Sequence, residues 1–263
     1  MSYAIIGGSG VYQLLPSFEL IHVSTPYGIV HLQKVQQTEP EQTLFFLPRH
    51  GKGHRVPPHG IDYRANIYAL KSLGVTHVFA SCAVGSMVRR LAPGDLVLLT
   101  DFIDMTKSRI QTYFTGDNPE FTGAAHLEMS DPYCIELRRR LLSVGRENKT
   151  PINSSGIYVC TEGPRFETAS EIRMYQRMGG EVVGMTSVPE VILAKELGMC
   201  YAAIGIVTNW CTGFVDESVS HDELMQLLKQ SKEIVTQLLV KSFRHPFDQL
   251  QCSCGEALFR INE

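Results

Sequence analysis

Short runs of apolar, often β-branched residues alternate along the chain with longer segments whose apolar residues recur at helical spacing. The apolar runs predict seven strands, several of them continuous enough to be covered on both faces of a sheet: Ala4–Ile6, Leu44–Leu47, His77–Ala80, Leu96–Thr100, Ile157–Cys160, Val182–Met185 and Ala202–Val207. The amphipathic segments predict five helices: Arg64–Leu73, Pro132–Arg146, Thr168–Met178, Pro189–Leu197 and His221–Phe243. This alternation predicts an α/β fold with a central mixed β-sheet flanked by helices.

The length and composition predict one domain, because the 263 residues contain no composition break and no internal repeat. We expect this domain to span residues 1–245 and to be followed by a C-terminal tail, residues 246–263. The net charge is −3 without a basic stripe, so no nucleic-acid partner is expected. The first apolar run is short and lacks a basic leader, and no stretch approaches the roughly 20 apolar residues of a membrane span. A cytoplasmic protein without membrane contacts is therefore expected.

The chain has seven cysteines. Four lie in apolar segments and are expected to be small buried hydrophobic residues: Cys82, Cys134, Cys160 and Cys200. In the tail, one residue separates Cys252 from Cys254, which is short for a zinc site, and no second ligand pair is near them. We expect no metal there, and the pair is either a strained disulfide or two thiols.

Residues suited to chemistry follow the predicted strands, where α/β sheets usually bind ligands. After the first strand, the glycines of Gly7-Gly8-Ser9-Gly10 let backbone N–H groups approach an anion, and Ser9 adds a hydroxyl. The loop lacks the third spaced glycine of a dinucleotide fingerprint and the Gly-Lys-Ser/Thr of a Walker loop. An ordinary glycine turn is the alternative interpretation.

Arg49 and His50 follow the second strand. The planar guanidinium of arginine matches phosphate oxygens, and a surface salt bridge is the alternative for Arg49. His50, His54 and His59 suggest a metal site by number alone, but the glycines and prolines among them rule out a regular helix. We expect no metal at these histidines.

The segment Thr161–Thr168 is the most distinctive of the chain. A base could stack on Phe166 and form a hydrogen bond with Glu167; alternatively, Phe166 belongs to the core and Glu167 caps or precedes the next helix. Asn209 ends the last strand with a side chain that both donates and accepts. That suits a ligand group with an acceptor beside a donor, such as a 6-oxopurine, while a turn asparagine is the alternative.

Together these segments resemble the trimeric nucleoside phosphorylase family, and most closely its methylthioadenosine phosphorylase branch. The matching stretches follow one another along the chain: Ile6–Tyr12, Phe46–Asn66, Gly163–Glu167, Gly184–Glu190, Ala194–Glu196 and the strand into Asn209. The likeness runs from the first strand to about Val240, and motifs of this length in this order are highly specific.

The resemblance implies a phosphate site and a contact between subunits. The residues implied around phosphate are Ser9, Arg49, His50, Cys82, Ala83 and Thr186. Cys82 replaces a hydroxyl common in this branch, which leaves the backbone N–H of Ala83 as a donor there. The family is typically homotrimeric, and His126, in the loop Ala124–Met129, would reach into a neighbouring subunit's site.

The resemblance also implies the sugar and base contacts. Met185 would pack against the ribose and Phe166 against the base, while Asn209, with Trp210 and Cys211 behind it, would face the purine. Phosphate would attack the anomeric carbon as the bond to N9 loosens, without a metal or an organic cofactor.

The expected catalytic residues are Arg49, which would hold phosphate in line, and Asn209, which would donate to the departing purine. Methylthioadenosine phosphorylases have an aspartate where Asn209 stands. Here the amide can donate to O6, and Glu167 can accept from the N1–H of hypoxanthine or guanine, which neutral adenine lacks. His221 matches a histidine that meets the ribose 5′-hydroxyl in 6-oxopurine enzymes; a surface histidine is the alternative, because the preceding loop differs in length.

The expected function is phosphorolysis of inosine and guanosine to the free base and ribose 1-phosphate, a step of purine salvage. Within this class, the alternative substrates are S-methyl-5′-thioinosine and methylthioadenosine. Outside it, a non-catalytic nucleoside or phosphate sensor would bind the base without turnover. A dinucleotide-dependent oxidoreductase would need the fingerprint and the ribose-binding acidic residue that the sequence lacks.

Overall fold

A computed structural model of the protein describes residues 2–8, 17–35, 43–51, 53, 55–215, 221–243 and 252–261. The strands are β1 (Ser2–Gly7), β2 (Phe18–Thr25), β3 (Gly28–Val35), β4 (Thr43–Pro48), β5 (Val75–Ser86), β6 (Leu96–Leu98), β7 (Asp101–Met105), β8 (Ala124–Leu127), β9 (Ile157–Thr161), β10 (Val182–Gly184), β11 (Cys200–Trp210) and β12 (Leu258–Ile261). The helices are α1 (Tyr63–Ser72), α2 (Ile135–Glu147), α3 (Ala169–Arg177), α4 (Ser187–Glu196) and α5 (His221–Lys241). Short 3₁₀ turns lie at Pro58–Gly60 and Cys254–Glu256.

Ten of these strands form one mixed sheet around the long strand β5. β5 runs parallel to β1 on one side and to β11 on the other, and its last residues pair antiparallel with β10. The order along the sheet is β2-β3-β4-β1-β5-β10-β9-β7, and β11 and β6 extend from β5. The remaining two strands, β8 and β12, form a separate antiparallel pair. The predicted α/β fold with a mixed sheet is confirmed.

Helices cover both faces of the sheet, as the continuous apolar runs predict. Alternate residues of β1 show this arrangement: Ala4 and Ile6 belong to the larger buried cluster, which α1 and α4 complete. Tyr3 and Ile5 belong to a second cluster with residues of α2 and α5, and the ring of Tyr3 stacks on Phe243 at 4.8 Å. No described helix has the length and apolar character needed to cross a membrane.

The predicted elements are present with shifted ends, and five further strands appear. β2 and β3 form an edge hairpin with many exposed residues, so they lack the continuous apolar run of a buried strand. The helix predicted from Pro132 begins at Ile135, because Cys134 before it has extended backbone angles. Thr168 caps α3 rather than joining it, and with Glu171 it forms a capping box.

Candidate functional site

The carboxyl ends of β5, β10 and β11 meet the loops after β4 and β9 around one cavity of about 270 Å³. Ten residues predicted for the site line this cavity: Arg49, His50, Cys82, Ala83, Phe166, Glu167, Met185, Thr186, Asn209 and Cys211. The fold therefore brings together residues from five segments of the chain, at the edge of the sheet where ligands are expected.

Four predicted site residues stand apart from this lining. Ser9 lies outside the described residues, and so does the side chain of His221 at the start of α5. Trp210 packs its ring against Phe214 at 5.4 Å, and its carbonyl lies next to the side chain of Asn209. His126 is exposed on β8. Its predicted contact with a neighbouring subunit stays a prediction.

Arg49 forms a buried, bidentate ion pair beside the cavity. Its Nε and Nη2 donate to the two carboxylate oxygens of Glu190, each at 2.7 Å, and Nη1 donates to the carbonyl of Ser81 at 2.8 Å. The hydroxyl of Tyr201 donates to the same carboxylate at 2.6 Å. Burial by itself lowers the pKa of Arg49, but Glu190 raises it above the usual value, so the guanidinium stays charged. Arg49 thus forms a salt bridge, but this salt bridge is in the interior. The alternative interpretation from the sequence was a salt bridge at the surface.

A glycine is required where the first strand meets Arg49. A Cβ atom on Gly8 would lie 2.4 Å from the carbonyl oxygen of Ser81 and 2.8 Å from Nη1 of Arg49. The N–H of Gly8 donates to the hydroxyl of Ser81 at 3.2 Å. The first half of the glycine loop therefore packs against the guanidinium. Its anion-binding role stays a prediction, because Ser9 and Gly10 lie outside the described residues.

His50, Thr186 and Cys82 are buried around the same end of the cavity. The Nδ1–H of His50 donates to the carbonyl of Val56 at 2.9 Å, which places that ring proton. The backbone N–H of Thr186 donates to the hydroxyl of Tyr158 at 3.1 Å. Burial raises the pKa of the Cys82 thiol to about 12, so it is a neutral neighbour for an anion.

At the other end of the cavity, threonine hydroxyls orient Glu167 and Asn209. Thr161 Oγ1 donates to Glu167 Oε1 at 2.7 Å, and Thr208 Oγ1 donates to Asn209 Oδ1 at 2.8 Å. The Nδ2 group of Asn209 donates to the carbonyl of Trp210 at 2.8 Å. One carboxylate oxygen and one amide hydrogen are thus left with no partner among the described residues. Held in this way, both groups can read a polar edge of a ligand.

The structure decides between the alternatives for the segment Thr161–Thr168. Phe166 is 72% exposed, so it is not a core residue, and it lines the mouth of the cavity. Glu167 is buried and bonded to Thr161; it precedes α3 but does not cap it, because Thr168 and Glu171 form the cap. Both side chains are placed where a base could contact them.

Close packing beneath Asn209 depends on a second glycine, Gly85. A Cβ atom there would lie 2.8 Å from Sγ of Cys211 and 3.3 Å from Nδ2 of Asn209. Gly85 pairs in register with Asn209 across β5 and β11. The missing side chain therefore makes room for the residues that face the ligand.

Two residues that organise the site were not identified from sequence. Glu190 is the partner of Arg49. It could have been found from the sequence as a carboxylate within the otherwise apolar start of α4, because a buried charge requires a partner. Arg109 is buried, and its Nη2 donates to the carbonyls of Thr161 and Glu162 at 3.2 and 2.9 Å. Its Nη1 donates to the carbonyl of Val188 at 2.6 Å, which ties the loop after β9 to α4. No sequence signal marked Arg109, because its partners are mostly backbone carbonyls from distant segments.

A second group of unusual residues lies at the start of β11, away from the cavity. The Sγ atoms of Cys134, Cys200, Cys252 and Cys254 lie within 4.8 Å of one another. The four cysteines predicted to be buried are buried. The expectation that Cys252 and Cys254 have no second cysteine pair nearby is wrong, because the fold brings Cys134 and Cys200 to them.

Comparison with known proteins agrees with this geometry. The sequence profile of the phosphorylase superfamily matches residues 2–244. A 6-oxopurine nucleoside phosphorylase of Pyrococcus furiosus is 44% identical over 97% of both chains. A probable 6-oxopurine nucleoside phosphorylase of Dictyoglomus turgidum is 46% identical over 100% of this chain and 98% of the relative. An S-methyl-5′-thioadenosine phosphorylase of Pyrococcus furiosus is 42% identical over 97% of this chain and 96% of the relative.

Among solved structures, the methylthioadenosine phosphorylase of Schistosoma mansoni in complex with adenine superposes with a TM-score of 0.85. It is 34% identical in sequence, and the match covers 92% of this chain and 90% of that one. Relatives of both substrate types are thus similar to this chain at nearly equal identity. The choice between substrates has to be argued from the side chains of the cavity.

Proposed function

The chain belongs to the phosphorylase superfamily and is a nucleoside phosphorylase, a pentosyltransferase, and we propose that it acts on 6-oxopurine nucleosides. The substrates of this reaction would be inosine or guanosine and inorganic phosphate, and its products the free base and ribose 1-phosphate. Relatives named for this activity are 38–46% identical to the chain.

The observation that carries the proposal is the pair of polar groups at the base end of the cavity. Glu167 keeps one carboxylate oxygen for a ligand, and a carboxylate only accepts. Such an acceptor suits the N1–H of hypoxanthine or guanine, whereas neutral adenine presents a bare N1. Asn209 keeps one amide hydrogen, which suits the O6 acceptor of the same bases. A site built for these bonds rejects an analogue that leaves them unpaired.

At the opposite end, Arg49 supports the phosphate site as a donor of directed hydrogen bonds. Glu190 and Ser81 accept three of its N–H groups, and the rest have no partner among the described residues. Because Glu190 neutralises the guanidinium, Arg49 offers phosphate oriented donors more than net charge. The ion pair also prevents rotation of the guanidinium, so its donors are already positioned before phosphate binds.

The proposed reaction requires the base at one end of the cavity and phosphate at the other. Phosphate held near Arg49, His50 and Thr186 would attack the anomeric carbon while the bond to N9 breaks. The departing purine gains negative charge, which the amide of Asn209 would stabilise through O6 or N7. These residues act by positioning and hydrogen bonding, so we also propose that the reaction uses no metal and no organic cofactor.

A second candidate differs only at the 5′ position of the ribose. Three relatives from Pyrococcus that are named S-methyl-5′-thioadenosine phosphorylase are 41–42% identical to this chain. The hydrogen bonds that Glu167 and Asn209 would make with a 6-oxopurine do not depend on the 5′ group. S-methyl-5′-thioinosine would present the same base edge. We place inosine first, because His221 at the start of α5 is the residue type that bonds a 5′-hydroxyl.

The assembly of the enzyme forms part of the proposal. We infer a homotrimer in which His126 contacts a neighbouring subunit's substrate. Its exposed position on β8, away from the cavity of its own chain, supports this inference. We also propose a cytoplasmic location, which suits soluble substrates such as nucleosides.

The test is to incubate the purified protein with phosphate and, separately, with adenosine, inosine, guanosine and both 5′-methylthio nucleosides, and to measure the free base. We expect release of hypoxanthine and guanine that depends on phosphate, with much slower release of adenine. Release of adenine as the main activity would contradict the assignment of the base. Binding without turnover of any nucleoside would identify a sensor instead.

A further inference from the structure

The four cysteines at the start of β11 come from three separate parts of the chain. Cys134 precedes α2, Cys200 opens β11, and Cys252 and Cys254 lie in the C-terminal tail. Their four Sγ atoms lie within 4.8 Å of one another, and those of Cys200 and Cys252 are 3.5 Å apart. The four sulfur atoms thus form one compact group.

This spacing is that of a metal-thiolate tetrahedron. Zinc–sulfur bonds of about 2.3 Å place the sulfur atoms of a tetrahedral site about 3.8 Å apart. A disulfide would need about 2.05 Å, and all four residues are free cysteines. We propose that Cys134, Cys200, Cys252 and Cys254 bind one zinc ion as a structural tetrathiolate site. A ligand set made only of sulfur excludes magnesium and calcium, which prefer oxygen.

The surroundings of the site suit thiolates. Cys134 is the N-cap residue of α2, so its sulfur lies at the positive end of the helix. Zinc binding would release the four thiol protons to solvent and leave a site with a net charge of −2. The positive end of α2 would offset part of that charge.

The site is structural, because it is far from the cavity. Cys200 and Asn209 are at opposite ends of β11, and nine residues of strand at about 3.3 Å each separate them by roughly 30 Å. Three of the four cysteines belong to the apolar cluster on one face of the sheet, and Cys252 packs against it. No described histidine or carboxylate joins the group, and four protein ligands leave no position for a substrate.

The zinc ion would fasten the C-terminal tail to the domain. Cys254 begins the 3₁₀ turn that leads into β12, which pairs with β8. In that pairing Phe259 lies opposite His126. The proposed ion therefore anchors the strand that supports the segment carrying His126. A tail of this size has little core of its own, so a metal is an effective means of ordering it.

The direct test is the metal content of the full-length protein, purified without chelator and measured by inductively coupled plasma mass spectrometry. We expect about one zinc per chain in the wild type and at least a tenfold loss in Cys254→Ser. The matched control is Cys160→Ser, which changes another buried cysteine outside the group and should keep the zinc. Zinc retained in Cys254→Ser, or lost equally in both variants, would overturn the proposal.

A second measurement covers the case in which Cys254→Ser fails to fold. The wild-type protein is stripped of metal under reducing conditions and titrated with Co²⁺. We expect one equivalent to produce the visible bands of tetrahedral cobalt and a thiolate-to-cobalt charge-transfer band, and Zn²⁺ to displace both. Rebinding zinc should raise Tm by about 5–10 °C. Absence of these bands, binding of iron in place of zinc, or a mass loss that shows disulfides in a metal-free protein would each overturn the site.

Discussion

The two ends of β11 carry groups of side chains that differ in how they are partnered. At its carboxyl end, Asn209 and its neighbours have partners that orient them but leave hydrogen-bonding capacity for a ligand. At its amino end, Cys200 belongs to a group of four cysteines whose sulfur atoms all lie within 4.8 Å of one another. The first arrangement needs an open cavity, whereas the second is closed and leaves no room for a substrate. In an active site, oriented side chains therefore keep donors or acceptors free for a ligand. In a structural metal site, all the ligand atoms come from the protein and surround a single ion.

The ion pair of Arg49 and Glu190 has both a structural role and a place in the active site. Its buried geometry is that of a structural element, yet the arginine also lines the cavity. Removing one partner of a buried pair leaves an uncompensated charge, which destabilises a protein by about 3–5 kcal/mol. Experiments at this position must separate loss of folding from loss of catalysis.

The largest effect is expected for Arg49→Ala. Loss of a positioned phosphate contact should lower kcat/KM by about 30- to 1,000-fold, equivalent to roughly 2–4 kcal/mol. The variant should also melt at a lower temperature, because Glu190 loses its partner. The control is the double variant Arg49→Met with Glu190→Gln, which removes both charges. It should recover most of the Tm while staying inactive; recovered activity would show that Arg49 is only structural.

The next effect concerns the base. In Asn209→Asp, a carboxyl group replaces the amide that donates to O6, so preference should move from inosine towards adenosine by at least about tenfold in the ratio of kcat/KM values. The matched control is Asn118→Asp, which changes another largely buried asparagine outside the cavity. Both variants should be measured with both nucleosides. An unchanged ratio in Asn209→Asp would mean that this residue does not face the purine.

A smaller effect is expected at the 5′ end of the nucleoside. Wild-type enzyme should prefer inosine to S-methyl-5′-thioinosine, and His221→Met should reverse that order. The substitution exchanges a hydrogen bond for apolar contact worth about 0.8 kcal/mol per methylene-sized group, which is roughly fourfold for each. His31→Met, a change on the exposed surface of β3, is the control. A wild-type preference for the methylthio nucleoside that His221→Met leaves unaltered would favour the second candidate.

The smallest effect on catalysis is expected at the cysteine group, and it tests whether the two ends of β11 are independent. Removing zinc with a chelator should lower Tm by about 5–10 °C. The initial rate of phosphorolysis, measured well below that Tm, should stay within about twofold. A parallel collapse of rate at low temperature, restored by zinc, would show that the metal supports the active site after all.

The alternation of strands and helices and the edge of the sheet that holds the site could be predicted from the residues alone, and the resemblance to nucleoside phosphorylases completed a set of ten residues that line the cavity. The strands, the helices and the position of the site are local properties, because apolar runs and chemically unusual residues directly after strands can be recognised without knowledge of the rest of the chain. The hairpin β2–β3 was not predicted, because an exposed edge strand has no continuous apolar run.

Which distant residues meet depends on the packing of the complete fold. Arg49 and Glu190 are 141 positions apart, and Arg109 is held mainly by carbonyl groups that every residue carries. The cysteines of the tail look isolated in the sequence, because the cysteines near them in the fold lie just before α2 and at the start of β11. Pairing of this kind depends on how the sheet and helices pack, since a buried charge or thiolate takes whichever partner the fold brings within bonding distance.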